Sequence, residues 1–177
     1  MNRHYFLSSL LYSFVTPALT ILLPKVAQEF KNATFYSAFY ICFIIGFIAC
    51  SIMTEKMKVK VKTIGITWLL SALPVLLMLF LTKNWFGFSL LIFSFGFITS
   101  IHNILSESMI QIVSDDQILG RILTTILTST SIGGPIGSLI SGFLLDNSDY
   151  SVLIIICSVL ILFGGLNILM VKEHNLK

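Results

Sequence analysis

Charge is what this chain has least of. Only 11% of its 177 residues are charged, against 56% that are hydrophobic, whereas soluble domains carry about 25% charged residues. Solvation by water is therefore not the design. Room for a soluble domain is also lacking, because the polar stretches are short: Lys25–Lys31, Glu55–Lys62, Lys83, a turn around Asp115–Arg121, and Asp146–Asp149. One compact all-α membrane bundle over residues 1–177 is the expectation. Cysteine is scarce too. Cys42, Cys50 and Cys157 all fall inside apolar runs with no CxxC or Cys/His metal spacing, so they read as space-filling thiols, and neither a metal nor a cofactor is expected. No small-residue cleavage site follows the first apolar run before Lys25, so that run is expected to stay as a span rather than be removed as a signal.

What is present is apolar length. Uncharged runs cover Tyr5–Pro24, Asn32–Thr54, Thr63–Thr82, Asn84–Ser106, Ile122–Leu145 and Tyr150–Val171. A hydrocarbon core of about 30 Å needs roughly 20 residues of helix. Backbone in lipid must satisfy its own hydrogen bonds, so each run is expected to be a transmembrane helix. The fourth helix carries on to residue 112. An even number of spans puts both ends on one side. Arg3, Lys56, Lys58, Lys60, Lys62, Arg121, Lys172 and Lys177 then share that side, with Lys25, Lys31 and Lys83 opposite. This bias predicts both termini in the cytoplasm. It also explains the Lys56–Lys62 cluster without a nucleic-acid partner.

The six runs differ. The third and sixth are the plainest, and helices with no polar stripe can face lipid all round. The first carries Ser9, Ser13, Thr16 and Thr20 on one helical face, flanked by Tyr5 and Tyr12. The fourth carries a stronger stripe of Ser100, Asn103, Glu107 and Gln111, with His102 and Ser106 in a neighbouring row. Such a face belongs in the bundle interior or against a wet cavity. Glu107 is a charge well inside a span. It reads either as a substrate or proton site or as a carboxylate snorkelling to the cytoplasmic mouth. His102 and Asn103 read as cavity lining or as interhelical hydrogen-bond donors. The fifth run holds Gly133, Gly134, Pro135, Gly137, Ser138 and Gly142. Gly133 and Gly137 form a GxxxG pair, and Gly134/Ser138 and Ser138/Gly142 repeat the spacing that lets helices approach closely. Pro135 removes one helical hydrogen bond. Polar stripes on the first and fourth helices, and plain helices at three and six, suggest a 3+3 inverted repeat.

The order Asn103, Gln111-Ile-Val-Ser-Asp115-Asp116-Gln-Ile-Leu-Gly120-Arg121, Gly134-Pro135-Ile-Gly137-Ser138, Gly142 and Asp146 resembles the major facilitator superfamily. The likeness is to the tenth and eleventh helices of its bacterial drug and macrolide efflux branch. Pro17 and Leu22-Leu23-Pro24 look like that branch's seventh helix, so the whole chain resembles the C-terminal six helices. The family's loop motif G-x-x-x-D-R-x-G-R-R survives only in degenerate form at Ser51, Glu55, Lys56 and Lys60, with Lys58 in place of the second Gly. The Gly133–Gly142 run also echoes the antiporter motif of the family's N-terminal half, but no Arg stands in the middle of the fourth helix.

The resemblance implies a secondary transporter, or half of one, in a bacterial-type inner (plasma) membrane. It would export small amphipathic compounds such as drugs by proton antiport, and a second six-helix half or a second copy would cover its polar faces. The implied cavity wall is Tyr5, Ser9, Tyr12, Ser13, Thr16, Thr20, Ser100, His102, Asn103, Ser106, Glu107 and Gln111. Asp115, Asp116 and Arg121 read either as a charge lock at the cytoplasmic gate or as ordinary loop solvation with a helix-start role. Two other classes are weighed against transport. One is a non-transporting scaffold or truncated membrane protein. The other is an intramembrane serine protease using Leu139-Ile140-Ser141-Gly142 with His102 as base, although the first Gly of the G-x-S-G motif is absent.

Overall fold

A computed structural model describes residues 3–54 and 56–171, all of it helical apart from short turns. Six α-helices follow in order: α1 (Arg3–Glu29), α2 (Thr34–Thr54), α3 (Val61–Leu81), α4 (Trp85–Val113), α5 (Asp116–Asn147) and α6 (Tyr150–Leu169). Apolar runs without internal breakers explain most of their extent. α1 continues through Pro17 and Pro24 to Glu29, five residues past the expected end. α4 starts on Asn84, whose side chain accepts the Gly87 amide at 3.2 Å, a helix cap of the usual polar kind. The expected turn at Asp115–Arg121 is shorter than the sequence suggests. α5 already begins at Asp116, so Gly120 and Arg121 sit in its first turns.

Five helices are long and apolar enough to cross a bilayer: α1, α2, α3, α4 and α6. α5 is the longest helix at 32 residues, but its threonines, serines and glycines dilute its apolar content. Large apolar side chains project outward on most faces, including Ile41, Ile45, Ile48 and Ile52 of α2. That is the surface a protein shows to lipid rather than to water.

Close neighbours are α2 with α4, α3 with α6, α1 with α5, α3 with α4, and α1 with α6, whereas α1 and α2 touch only lightly. Glycines permit the tightest contacts. On α2, a Cβ at Gly46 would strike the Phe93 carbonyl of α4, and one at Gly96 of α4 would strike the Phe43 carbonyl in return. On α3, a Cβ at Gly65 would meet the Leu169 side chain at 2.6 Å, and one at Gly165 of α6 would meet Leu69 at 2.8 Å. These contacts run in opposite senses along the chain, so α3 and α6 are antiparallel. The third and sixth helices therefore do not face lipid all round. α3 buries Ile64, Trp68, Ala72, Val75 and Met78, and α6 buries Leu153, Ile154, Cys157 and Ile161. Plain sequence gave no polar stripe, but close packing needs shape rather than polarity.

One end of the bundle is closed by rings. Phe39 of α2 meets Phe88 of α4 at 4.9 Å between centroids and Phe30 at 6.2 Å, with Phe35 and Trp85 adjoining at 5.9 Å. Edge-on pairs at these separations are favourable beyond their buried area.

Candidate functional site

The structure splits the two polar stripes. On α1, Ser9, Tyr12, Ser13, Thr16 and Thr20 are all half-buried, while the side chain of Tyr5 lies outside the described residues. The Ser13 hydroxyl donates to the Leu10 carbonyl at 2.6 Å and the Thr20 hydroxyl to the Thr16 carbonyl at 2.9 Å. Hydroxyls folded back on their own helix cost little in an apolar setting. On α4, Ser100, His102 and Ser106 are buried, Asn103 is half-buried, and Glu107 and Gln111 are exposed. The middle of the α4 stripe is thus turned into the bundle, and its C-terminal end stays open.

His102 is the centre of the inward part. Only 1% of its surface is exposed. Its ring stacks on Trp68 of α3 at 4.9 Å and 16°, and Tyr12 of α1 stands edge-on to it at 4.9 Å. Tyr12 also meets Trp68 at 5.3 Å. Neither ring nitrogen of His102 has a hydrogen-bond partner, and neither do Trp68 Nε1, Ser100 Oγ or Ser106 Oγ. Leaving such groups unpaired costs about 1–3 kcal/mol each. Trp68 was not legible as a site residue, because it sits in the plainest stretch. Beside it, the Ser8 hydroxyl donates to the Gly164 carbonyl at 2.9 Å, pinning α1 to α6.

Thr16 and Thr20 line a small cavity of about 80 Å³ with Leu19, Leu23, Tyr40, Phe43, Ile92 and Phe95, between α1, α2 and α4. Tyr40 and Phe43 are further residues that the sequence did not single out. No signal set them apart from the other aromatic residues of α2, which include Phe35, Tyr36, Phe39 and Phe47.

The gate and packing residues also divide. Arg121 and Gly120 line an open groove of about 500 Å³ with Thr124, Thr125 and Thr128. Asp115 stands at the start of α5 without a side-chain cap, and among the described residues it forms no ion pair with Arg121; the side chain of Asp116 lies outside them. Gly133, Gly137 and Ser141 face α1. A Cβ at Gly133 would strike the Ser13 hydroxyl, and one at Gly137 would sit 2.9 Å from the Phe14 carbonyl. Gly134 and Gly142 have nothing within reach, Ser138 is half-buried and Pro135 is exposed. The Ser141 hydroxyl donates to the Gly137 carbonyl at 2.6 Å, whereas His102 lies between Trp68 and Tyr12. The serine and histidine of the protease reading are not brought together. Among the described residues, no three His, Cys, Asp or Glu side chains cluster as a metal site.

Five helices long and apolar enough to span a bilayer, packed into one bundle, make this a multi-pass membrane protein. The family model of the Major Facilitator Superfamily matches residues 5–177, nearly the whole chain. The chain belongs to that superfamily, whose members are membrane transporters and not enzymes. Comparison with curated proteins gives no match.

Proposed function

We propose that this chain is a six-helix bundle of a transporter that exports small amphipathic compounds in exchange for protons. All six helices cross the membrane in this reading, α5 included, with both termini in the cytoplasm. A partner bundle, supplied by a second half or a second copy, rocks against it around a site near the midplane. The observation that carries the reading is the exposed Glu107 and Gln111 on α4, a helix long enough and apolar enough to span. A carboxylate at such a position costs roughly 2.5–3.5 kcal/mol on insertion scales, so it belongs against water and not against acyl chains. Beside it Asn103 is half-buried, and Tyr12, Thr16 and Thr20 continue the wall on α1. Asp115, Asp116 and Arg121 form the cytoplasmic rim.

Helix pairing supports a 3+3 inverted repeat. Exchanging α1, α2 and α3 for α4, α5 and α6 turns α2 with α4 into α5 with α1, and α3 with α4 into α6 with α1. It leaves α3 with α6 unchanged, and all of these are close pairs.

Replacing Glu107 by Gln tests the reading. Drug export from cells should fall while expression and membrane insertion stay normal. Unchanged export at normal expression would remove Glu107 from the mechanism.

A further inference from the structure

Lys56, Lys58, Lys60 and Lys62 lie between the end of α2 and the first turn of α3, in alternation with Met57, Val59 and Val61. The backbone that leads into α3 is extended, with Lys60 at φ −139° and ψ 136°. Successive side chains of an extended chain point to opposite sides. Here the valine side is turned into the bundle: Val59 is half-buried against the hydrophobic core and Val61 is buried. All four lysines are exposed. Among the described residues, which do not include Glu55, none of them forms an ion pair. The connection is therefore an edge docked by its valines, with its cations displayed and uncompensated.

The bias of lysines across a membrane accounts for how many stand on this side, but not for where they are placed. Lys60 is the N-cap residue of α3 and its side chain makes no capping hydrogen bond. The first turn of α3 holds Lys62 and no acidic residue. A helix start is the positive end of the helix dipole, where an anion is favourable and lysine is not. Exposed apolar side chains, Ile52 and Met53 at the end of α2 and then Met57, stand beside the lysines in the chain. A fixed cationic edge next to side chains suited to lipid calls for an anion from outside the chain.

We infer that the Lys56–Lys62 edge binds the head group of an anionic phospholipid, with phosphatidylglycerol as the simplest such ligand. The phosphate sits against Lys58 and Lys60, which are about 7 Å apart along extended chain, and Lys56 and Lys62 flank them. The acyl chains run along Ile52 and Met53. A zwitterionic head group carries its own cation and gains little from the edge. Basic clusters beside a transmembrane helix recognise anionic lipid by this electrostatic attraction. The inference goes beyond the transport reading and does not depend on it, because no step of transport enters it.

The full chain in detergent is titrated with phosphatidylglycerol and, separately, with phosphatidylcholine of the same acyl chains, and the lipid retained is counted by native mass spectrometry. Phosphatidylglycerol should bind about tenfold more tightly, the gain that one to two lysines near an anionic lipid provide. The preference should shrink severalfold between about 0.1 M and about 1 M salt, as the screening length falls from about 10 Å to about 3 Å. Replacing Lys56, Lys58, Lys60 and Lys62 by Gln should bring the two lipids level, and replacing the four by Arg should keep the preference. Gln at Lys25, Lys31 and Lys83 should also keep it, since those lysines lie elsewhere. Equal binding of the two lipids to the unaltered chain would overturn the assignment, and so would a preference that survives high salt or the four Gln substitutions. Displacement of phosphatidylglycerol by millimolar inorganic phosphate would overturn it too, by giving the edge to a free anion.

Discussion

At the scale of residues, the Tyr12–Trp68–His102 triad joins α1, α3 and α4 through ring faces and edges rather than through hydrogen bonds. The unpaired nitrogens of His102 then cost stability, and its ring contributes packing. His102→Phe keeps the stacking and removes two unsatisfied polar atoms, so thermal unfolding in detergent should show stability unchanged within about 1 kcal/mol, or raised. His102→Ala leaves a hole beside Trp68 and should lower stability by about 2–4 kcal/mol. A large loss in the Phe variant would mean that the imidazole nitrogens hold a partner in the membrane. Two of these three residues could be read from sequence. His102 stood out as a polar residue in an apolar run, and Tyr12 flanked a hydroxyl stripe. Trp68 carried no such signal, because stacking depends on which helices meet and no periodicity reports that.

At the scale of elements, small residues decide which helices touch. The GxxxG pair of α5 was legible and does face α1, through Gly133 and Gly137. The parallel row of Gly134 and Gly142 has the same spacing but nothing within reach. Spacing marks a face that can pack, and only the fold says which of two neighbouring faces does. The reverse also happened. Gly96 and Ser100 share the small-xxx-small spacing, yet Ser100 read as part of a polar stripe and the contact with α2 went unseen. Gly46→Ala or Gly96→Ala drives a methyl into a backbone carbonyl that cannot move aside cheaply. Either should destabilise the bundle by about 1–3 kcal/mol in denaturant titration. Gly134→Ala should gain up to about 1 kcal/mol in the chain alone, from helix propensity. It should reduce export if a partner bundle seats on that row, which makes export in the Gly134→Ala variant the readout that separates a covered row from a bare one.

At the scale of the whole molecule, the number of helices followed from apolar length and the thickness of a bilayer, and their order around the bundle did not. Apolar runs report solvent, whereas neighbour choice comes from side-chain shape at each crossing, as in the reciprocal Gly65–Leu169 and Gly165–Leu69 contacts. α5 shows the limit from the other side: it is long enough to span, and its hydroxyl and glycine content keeps it out of the apolar class that holds the other five. The placement of lysines predicts orientation. In intact cells, a single cysteine replacing Lys83 should react with an impermeant reagent added outside, and one replacing Lys60 should not. The opposite pattern would invert the topology and place Glu107 at the outer mouth.

The polar face of α4 is where a transport cavity must be wet. Single cysteines at Asn103, Glu107 and Gln111, in a chain otherwise free of cysteine and held in its own membrane, can be treated with a membrane-impermeant thiol reagent from the cytoplasmic side. Glu107→Cys and Gln111→Cys should label readily and Asn103→Cys more slowly, while Leu139→Cys and Phe143→Cys on the apolar outer face of α5 stay unlabelled. Protection of all three α4 positions from the reagent would mean that this face meets lipid or a dry protein surface, and no water-filled path would run beside Glu107.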